Sequence, residues 1–372
     1  MTGATENGNG GLATDPLTAE ARAFQDSIAA PTPFSSIADI ISAGSTPWCY
    51  ADVANTKGRS PLSFDALSAF IKSFDLRRFG ISRDAVVCTA IPTGAEAAVC
   101  FWAVAQQCVF APLNPALTVP EIEFELGDLP CHTMILMKDP AATGPMATSN
   151  ELIEAACEKF DVQVLKLVPD KHTVGLFTLE GTEVAAEAQP PAAPAKPTDL
   201  ALVLHTSGTT KKPKIVPLTH HNLAHGIQFV AQTLRRQPAD LCLNVMPLFH
   251  IHGIVANVGV SAYSGSKVVA SSFIGGADFC DSLKVKGKRP TWYSAVPTMH
   301  EAILMEGEKR GRDLDHSLTL MRNCSAALLP PVSKRFLKAF GTDLKQVTPS
   351  TRLEASPTLS ALLSALLSAL SL

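Results

Sequence analysis

One stretch of the chain gathers the residue types suited to holding phosphate: Leu204-His205-Thr206-Ser207-Gly208-Thr209-Thr210-Lys211-Lys212-Pro213-Lys214. An apolar strand runs directly into a hydroxyl-rich, lysine-bearing loop. Gly208 lacks a Cβ, so the backbone there can approach a ligand closely, and successive N–H groups of such a loop can form an anion-binding concavity. The hydroxyls of Thr206, Ser207, Thr209 and Thr210 add hydrogen-bond donors, and Lys214 adds positive charge. The stretch is not a Walker A loop, because G-x-x-x-x-G-K-[ST] needs a second glycine and a different order. Taken alone, it also reads as a solvated Ser/Thr turn, which is a common surface element.

The whole string resembles the signature loop of the adenylate-forming superfamily, which includes acyl-CoA synthetases, luciferases and peptide-synthetase adenylation domains. The usual form is T-S-G-T-T-G-x-P-K-G-V. Lys211 and Ile215 stand where that pattern has glycines. Lys211 stiffens the loop relative to glycine and adds charge, so the departure bears on loop mobility more than on phosphate binding.

Three further stretches follow in the order of that family. Val245-Met246-Pro247-Leu248-Phe249-His250-Ile251-His252-Gly253 resembles a core motif in which a strand ends at a histidine beside the acyl pocket. For His250 and His252 taken singly, a packed or solvated histidine is the competing reading. Thr291 to Met299 resembles the next strand and helix start. Asn323-Cys324-Ser325-Ala326-Ala327-Leu328 stands where relatives place a turn lining the adenine pocket, and a plain turn is the alternative. Leu113-Asn114-Pro115 and Leu117-Thr118 match as scaffold. The resemblance runs over residues 35–347, and the wording around Ser294 and Cys324 is most similar to the oxalate–CoA ligase branch.

The resemblance implies an α/β fold, with two stacked α/β subdomains of an adenylate-forming N-terminal domain and the C-terminal part missing. It implies an AMP-forming carboxylate–CoA ligase acting through an acyl-adenylate. A small carboxylic acid and ATP would be substrates, with Mg2+ as cofactor and coenzyme A as co-substrate. Thr206, Ser207, Gly208, Thr209, Thr210 and Lys214 would cradle the phosphates, Ser325 and Ala326 would line the nucleotide site, and His250 would be catalytic. Such proteins next carry a Tyr-Gly-Met-Thr-Glu-like motif, a ribose-binding Asp, a hinge Arg and a C-terminal domain with a catalytic Lys. Beyond Val347 the sequence instead runs into Thr348-Pro349-Ser350. The expectation is an inactive or weak chain, and the alternative is a non-catalytic nucleotide-binding pseudoenzyme or regulator.

The elements that must position these residues are legible as periodic segments. Ser63 reads as the N-cap of a helix over 64–71, with Gly80 as a stop. Residues 85–91, 109–113 and 133–137 read as buried strands, and 95–107 and 118–126 as helices. A second set of strands at 200–205, 240–246, 267–270 and 291–296 is interleaved with helices at 222–234 and 252–265 and followed by a helix from Pro297. Strands alternating with helices predict parallel sheets covered on both faces. The expected organisation is a disordered N-terminus over 1–34, a first subdomain over 35–183, a Pro/Ala linker over 184–199, a second subdomain over 200–347 and a low-complexity tail over 348–372.

Composition narrows the function. Of 372 residues, 46 % are hydrophobic, enough for a sizeable core, and the net charge is only −3. No basic excess points to nucleic acid or an anionic membrane, so anionic ligands must be met by local devices. The nine cysteines form no C-x-x-C pair, and an odd, scattered set suits a reducing compartment. No run of about 18 apolar residues is present, so no spanning helix is expected. The expected location is cytoplasmic or peroxisomal, although the terminal Leu370-Ser371-Leu372 is not the Ser-Lys-Leu address.

Overall fold

The computed structural model describes residues 34–51, 58–138, 149–184, 194–206, 214–284, 288–311, 314–325, 327, 329–342 and 344–346. The expected disordered N-terminus, most of the expected linker and the expected tail lie outside the described residues.

A short 3-10 turn, Ile37–Ile40, precedes β1 (Pro47–Ala51), β2 (Leu62–Ser63) and α1 (Phe64–Ser73). Ser63 caps α1 as its position predicts, its hydroxyl accepting from the Ala66 N–H at 3.1 Å. Gly80 does not end this helix. It closes a separate 3-10 turn, Arg77–Phe79, in the left-handed conformation that glycine tolerates. Then follow β3 (Val86–Ala90), α2 (Ala95–Ala105), β4 (Val109–Pro112), α3 (Val119–Asp128) and β5 (Cys131–Met137). Next are α4 (Asn150–Lys159), β6 (Gln163–Pro169), β7 (Phe177–Glu180), β8 (Leu200–Thr206), β9 (Lys214–Thr219) and α5 (His220–Leu234). After β10 (Leu241–Asn244) a π-helix, His252–Gly259, runs into α6 (Val260–Tyr263). The chain continues through β11 (Lys267–Ala270), α7 (Gly276–Ser282), β12 (Trp292–Ala295) and α8 (Pro297–Arg310). It finishes with β13 (Leu320–Asn323), α9 (Pro330–Phe340) and β14 (Leu344–Gln346).

The strands form two seven-stranded sheets, ordered β7-β6-β5-β3-β4-β8-β9 and β14-β13-β12-β10-β11-β1-β2. The sheets do not follow the expected division of the chain between residues 183 and 200. β8 and β9 belong to the first sheet, where Phe110 of β4 pairs with Leu202 of β8. β1 and β2 belong to the second, where Cys49 of β1 pairs with Val268 of β11. An apolar run shows that a strand is buried but does not say which sheet edge receives it. Nor are the sheets wholly parallel, because β1–β2, β6–β7 and β8–β9 pair antiparallel.

Side-chain alternation along the strands defines the layers. In β3, Val87 enters a core cluster shared by both sheets, whereas Val86, Cys88 and Ala90 pack on the opposite face with Ile122, Leu126 and Ile153 of α3 and α4. In the second sheet Cys242, Val268 and Trp292 face the shared core. Their neighbours Leu243, Val269 and Tyr293 face away, toward Ile303 and Phe336 of α8 and α9. The shared layer contains α2, every residue of which is buried, as its all-round apolar sequence predicts. The π-helix and part of α5 join it. Among the described residues, no helix is long and apolar enough to cross a membrane.

Candidate functional site

The phosphate-loop sequence spans the connection of the β8–β9 hairpin. Thr206 pairs with Lys214, His205 with Ile215 and Leu204 with Val216, so the ladder runs up to the mouth of the connection. Ser207, Gly208, Thr209 and Thr210 lie outside the described residues. Lys214 is exposed at the start of β9. Because β8 runs parallel to β4, Thr206 ends its strand on the same side as the C-terminal ends of β3 and β4. In α/β sheets that side is where ligands bind.

The strand leading into this connection is fastened from outside the hairpin. His205, its side chain 7 % exposed, bonds Asp128 through Nε2 at 2.7 Å and pairs with Glu125 through Nδ1. Glu125 and Asp128 are three residues apart on α3 and therefore share one helix face. The α3 start is fixed by a capping box in which the Glu121 carboxylate accepts from the Thr118 N–H at 2.8 Å. Burial pulls the His205 pKa down, but the hydrogen bonds and charges of Glu125 and Asp128 outweigh it and hold the imidazole above its ordinary value. A cation there also suits the α3 C-terminus, where the helix dipole is negative.

The C-terminal ends of the second sheet carry a buried polar cluster. His252, 2 % exposed, bonds Ser294 Oγ at 2.7 Å through Nε2 and Ser325 Oγ at 3.2 Å through Nδ1. Arg322, 4 % exposed, donates from Nη1 to the same Ser294 hydroxyl at 2.9 Å and from Nη2 to Cys324 Sγ at 3.2 Å. Asn257 donates to Asn244 Oδ1 at 2.8 Å, tying the π-helix to the end of β10. Ser325 adopts a φ of 71°, in the left-handed region that costs a non-glycine residue energy, and its hydroxyl meets His252. Burial, then the neighbouring Arg322, His300 and His250, push the His252 pKa well down, so it is a neutral imidazole.

His250 sits one turn before this cluster, half-buried, its ring 4.7 Å from that of Phe249, and burial lowers its pKa. Among the described residues its side chain makes no hydrogen bond, in contrast to His252. Phe249 and Leu248 line a narrow apolar crevice with Thr89, Ile91, Ala97 and Phe110 from the first sheet side. Gly253 is required where the π-helix starts, because a Cβ there would run into the Pro247 carbonyl oxygen. The ends of the two sheets meet nearby. Leu248 N–H donates to Thr93 Oγ1 at 3.2 Å, and Ser272 Oγ donates to the Thr93 carbonyl at 2.6 Å. Thr93 follows β3, and Ser272 follows β11.

The structure thus brings together Ser325 and His252, places His250 beside them in the chain, and sets Thr206 and Lys214 across from each other in a hairpin. Ala326 lies outside the described residues. Sequence reasoning missed Arg322, Ser294, Asn244 and Asn257 as members of a cluster. One signal was available: Arg322 follows the apolar pair Leu320-Met321 within a short strand, and a fully buried arginine is rare unless it is paired.

Two mixed α/β sheets stacked through a helical layer, with an edge hairpin bearing the loop motif, are the architecture of the adenylate-forming N-terminal domain. The AMP-binding enzyme family model matches residues 73–349, and the chain belongs to that family. The chain is 32 % identical over 286 residues to an oxalate–CoA ligase of Arabidopsis thaliana, covering 74 % of this chain and 53 % of the relative. It is 28 % identical over 289 residues to an oxalate–CoA ligase of Saccharomyces cerevisiae, covering 73 % and 51 %. In fold it is similar to apo MatB from Rhodopseudomonas palustris, with a TM-score of 0.65 at 19 % identity over 84 % of this chain and 59 % of that one. The chain spans about half the length of the curated relatives it matches.

Proposed function

We propose that the chain carries the nucleotide- and acid-binding half of an AMP-forming carboxylate–CoA ligase, with oxalate, the acid in the names of two of its relatives, as the acid. The observation that carries this reading is the β8–β9 hairpin, whose connection holds the family's Thr-Ser-Gly-Thr-Thr sequence at the ligand-binding side of the first sheet.

In this reading the hydroxyls of Thr206, Ser207, Thr209 and Thr210, the backbone at Gly208 and the Lys214 ammonium hold the β- and γ-phosphates of ATP. Magnesium bound together with ATP would supply neutralisation of phosphate charge alongside Lys214. The substrate carboxylate attacks the α-phosphorus, the bond to the β-phosphate oxygen breaks, and acyl-adenylate and pyrophosphate form. The thiolate of coenzyme A then attacks the acyl carbon and AMP leaves. Positioning and charge stabilisation supply most of the first step. His250, next in the chain to Phe249 of the apolar crevice, is assigned to the acyl group, and Ser325 with Ala326 to the nucleotide side.

Calorimetric titration with ATP and Mg2+ tests the reading. The chain is expected to bind ATP, and the double substitution Thr209→Ala with Lys214→Ala to weaken binding at least tenfold, about 1.4 kcal/mol. A folded double variant that binds ATP as tightly as the unaltered chain would contradict it.

A further inference from the structure

The β8–β9 hairpin reaches past its attachment to the rest of the sheet. The register of β8 with β4 runs through Phe110 and Leu202, whereas the β8–β9 ladder continues to Thr206 and Lys214. An edge element extended in this way opens locally unless something else holds its end. Along β8, Val203 packs on the outer face of the sheet with Ile122 and Leu126 of α3. His205, two residues on, presents its side chain to that same face. There it meets Phe124, with ring centroids 6.0 Å apart, and the carboxylates of Glu125 and Asp128. The burial of Ile122 and Leu126 and the capping box at Thr118 fix α3, so the hairpin is tied to a fixed body.

Both ring nitrogens of His205 face carboxylate oxygens. A neutral imidazole has one N–H and one lone pair, so it serves one carboxylate and turns its lone pair toward the other. The cation alone donates to both. Nδ1 and the Glu125 Oε2 beside it are buried, and among the described residues no other hydrogen bond serves either atom. The remaining neighbours are apolar or neutral, apart from Lys214. β4, on one side of β8, is the apolar run Val109–Pro112. β9, on the other side, sets Ile215 opposite His205, with the exposed Lys214 next in the strand. Cys88 of β3 lies in the field of Glu125, but a hydrogen bond with Cys131 and burial push its thiol well up, and it stays neutral. Burial opposes a charge on His205, and the two carboxylates outweigh that burial.

We infer that His205 is a positioning residue for nucleotide binding: as a cation bridging Glu125 and Asp128 it fixes the strand that delivers the phosphate-loop connection, and ATP is held less tightly once its proton is lost. This rests on the ligase reading, in which Thr206 and Lys214 flank the phosphate site, and adds to it a residue that does not touch the nucleotide. The direction follows from the geometry. While the ring is protonated it donates to both carboxylates, and the Thr206–Lys214 end of the hairpin is tied to α3. As pH rises through the elevated pKa the proton leaves to solvent, one carboxylate then faces a lone pair, and half of the tie is lost. A binding element held in place before its ligand arrives costs less ordering on binding, so losing the tie weakens ATP.

The test is a calorimetric titration of the full chain with ATP and Mg2+ from pH 6 to pH 9. The unaltered chain is expected to bind ATP at least about threefold more tightly at pH 6 than at pH 9. His205→Gln, neutral throughout, is expected to bind at pH 6 as weakly as the unaltered chain does at pH 9, and to show no such fall. His205→Lys, charged across this range and able to donate to both carboxylates, is expected to recover the tight binding and keep it at pH 9. A purely structural loss would weaken both variants alike and leave the pH profile in place. A flat profile in the unaltered chain overturns the inference whether or not either variant folds. So does a folded His205→Gln chain that keeps the profile or the pH 6 affinity, or a folded His205→Lys chain that binds no better than His205→Gln. The two readings fail separately. ATP binding that ignores pH sinks the positioning role alone, and no ATP binding at any pH sinks the ligase reading together with the role built on it.

Discussion

Two histidines in this molecule sit in opposite electrostatic settings. His205 lies in the strand entering the phosphate-loop connection, clamped by two carboxylates from α3 that raise its pKa. His252 lies in the buried cluster at the ends of the second sheet, hydrogen-bonded to two serines beside an arginine, and its pKa is driven far down. The first region answers a cation with protein anions and is electrostatically complete. The second gathers hydrogen-bond donors around Arg322, and among the described residues no carboxylate pairs with it. A histidine near a binding site thus has no fixed role. The charges around it decide whether it fastens a strand as a cation or offers hydrogen bonds as a neutral ring.

The comparison can be broken most forcefully by acid. His220, whose Nδ1 accepts from the Ile37 N–H, and His300, bonded to Tyr293, each have pKa values lowered to about 4. Unfolded chains protonate histidine near about 6.5, so between 6.5 and 4 the unfolded state binds more protons and stability falls as pH falls. The loss is expected to reach about 3 kcal/mol for each group, with His252 acting in the same direction. Urea unfolding midpoints measured from pH 7 to pH 4.5 check this, and a flat profile would show that these histidines are not buried neutral. His205 has the opposite sign. Its contribution is fully present below about 6.5 and is lost as pH rises through its elevated folded pKa.

A Gly253→Ala substitution probes the packing under His252. Its Cβ must displace the Pro247 carbonyl, an overpacking expected to cost about 1–3 kcal/mol and visible as a lowered unfolding midpoint. Replacing Glu125 by Gln and Asp128 by Asn together leaves His205 buried without its anions. Its pKa, followed by NMR titration, is expected to drop from above the ordinary value to below it, because burial alone then acts on it. The stability cost should be about 1 kcal/mol at pH 6 and smaller at pH 9. The smallest effect belongs to an exposed pair far from either histidine. Lys138→Ala removes a solvent-exposed bond to Glu180 and is expected to change stability by less than about 0.5 kcal/mol.

The two regions also differ in how far the sequence revealed them. The phosphate-loop motif is contiguous, so Thr206 to Lys214 can be read directly as one unit, and its strand is apolar from Leu200 to Leu204. The helices α1 and α3, with spaced apolar positions, and α2, apolar all round, were equally legible, as was the Ser63 cap. The buried cluster is assembled from residues as far apart as Asn244 and Ser325, which only the register of β10, β12 and β13 brings together. The exchange of β1 and β2 into one sheet and β8 and β9 into the other was also hidden. Edge pairing depends on long-range geometry, and the local pattern of a strand is the same on either side. Short elements such as β7, β13 and β14 were missed because three or four residues carry little periodicity.

The central claim is that nucleotide phosphate is held at the β8–β9 connection. Backbone amide hydrogen exchange, read peptide by peptide with and without saturating ATP and Mg2+, tests it most directly. Added protection over residues 204–216, with β6, β7 and α4 unchanged, is the predicted result. ATP that protects another part of the chain and leaves 204–216 untouched would contradict it.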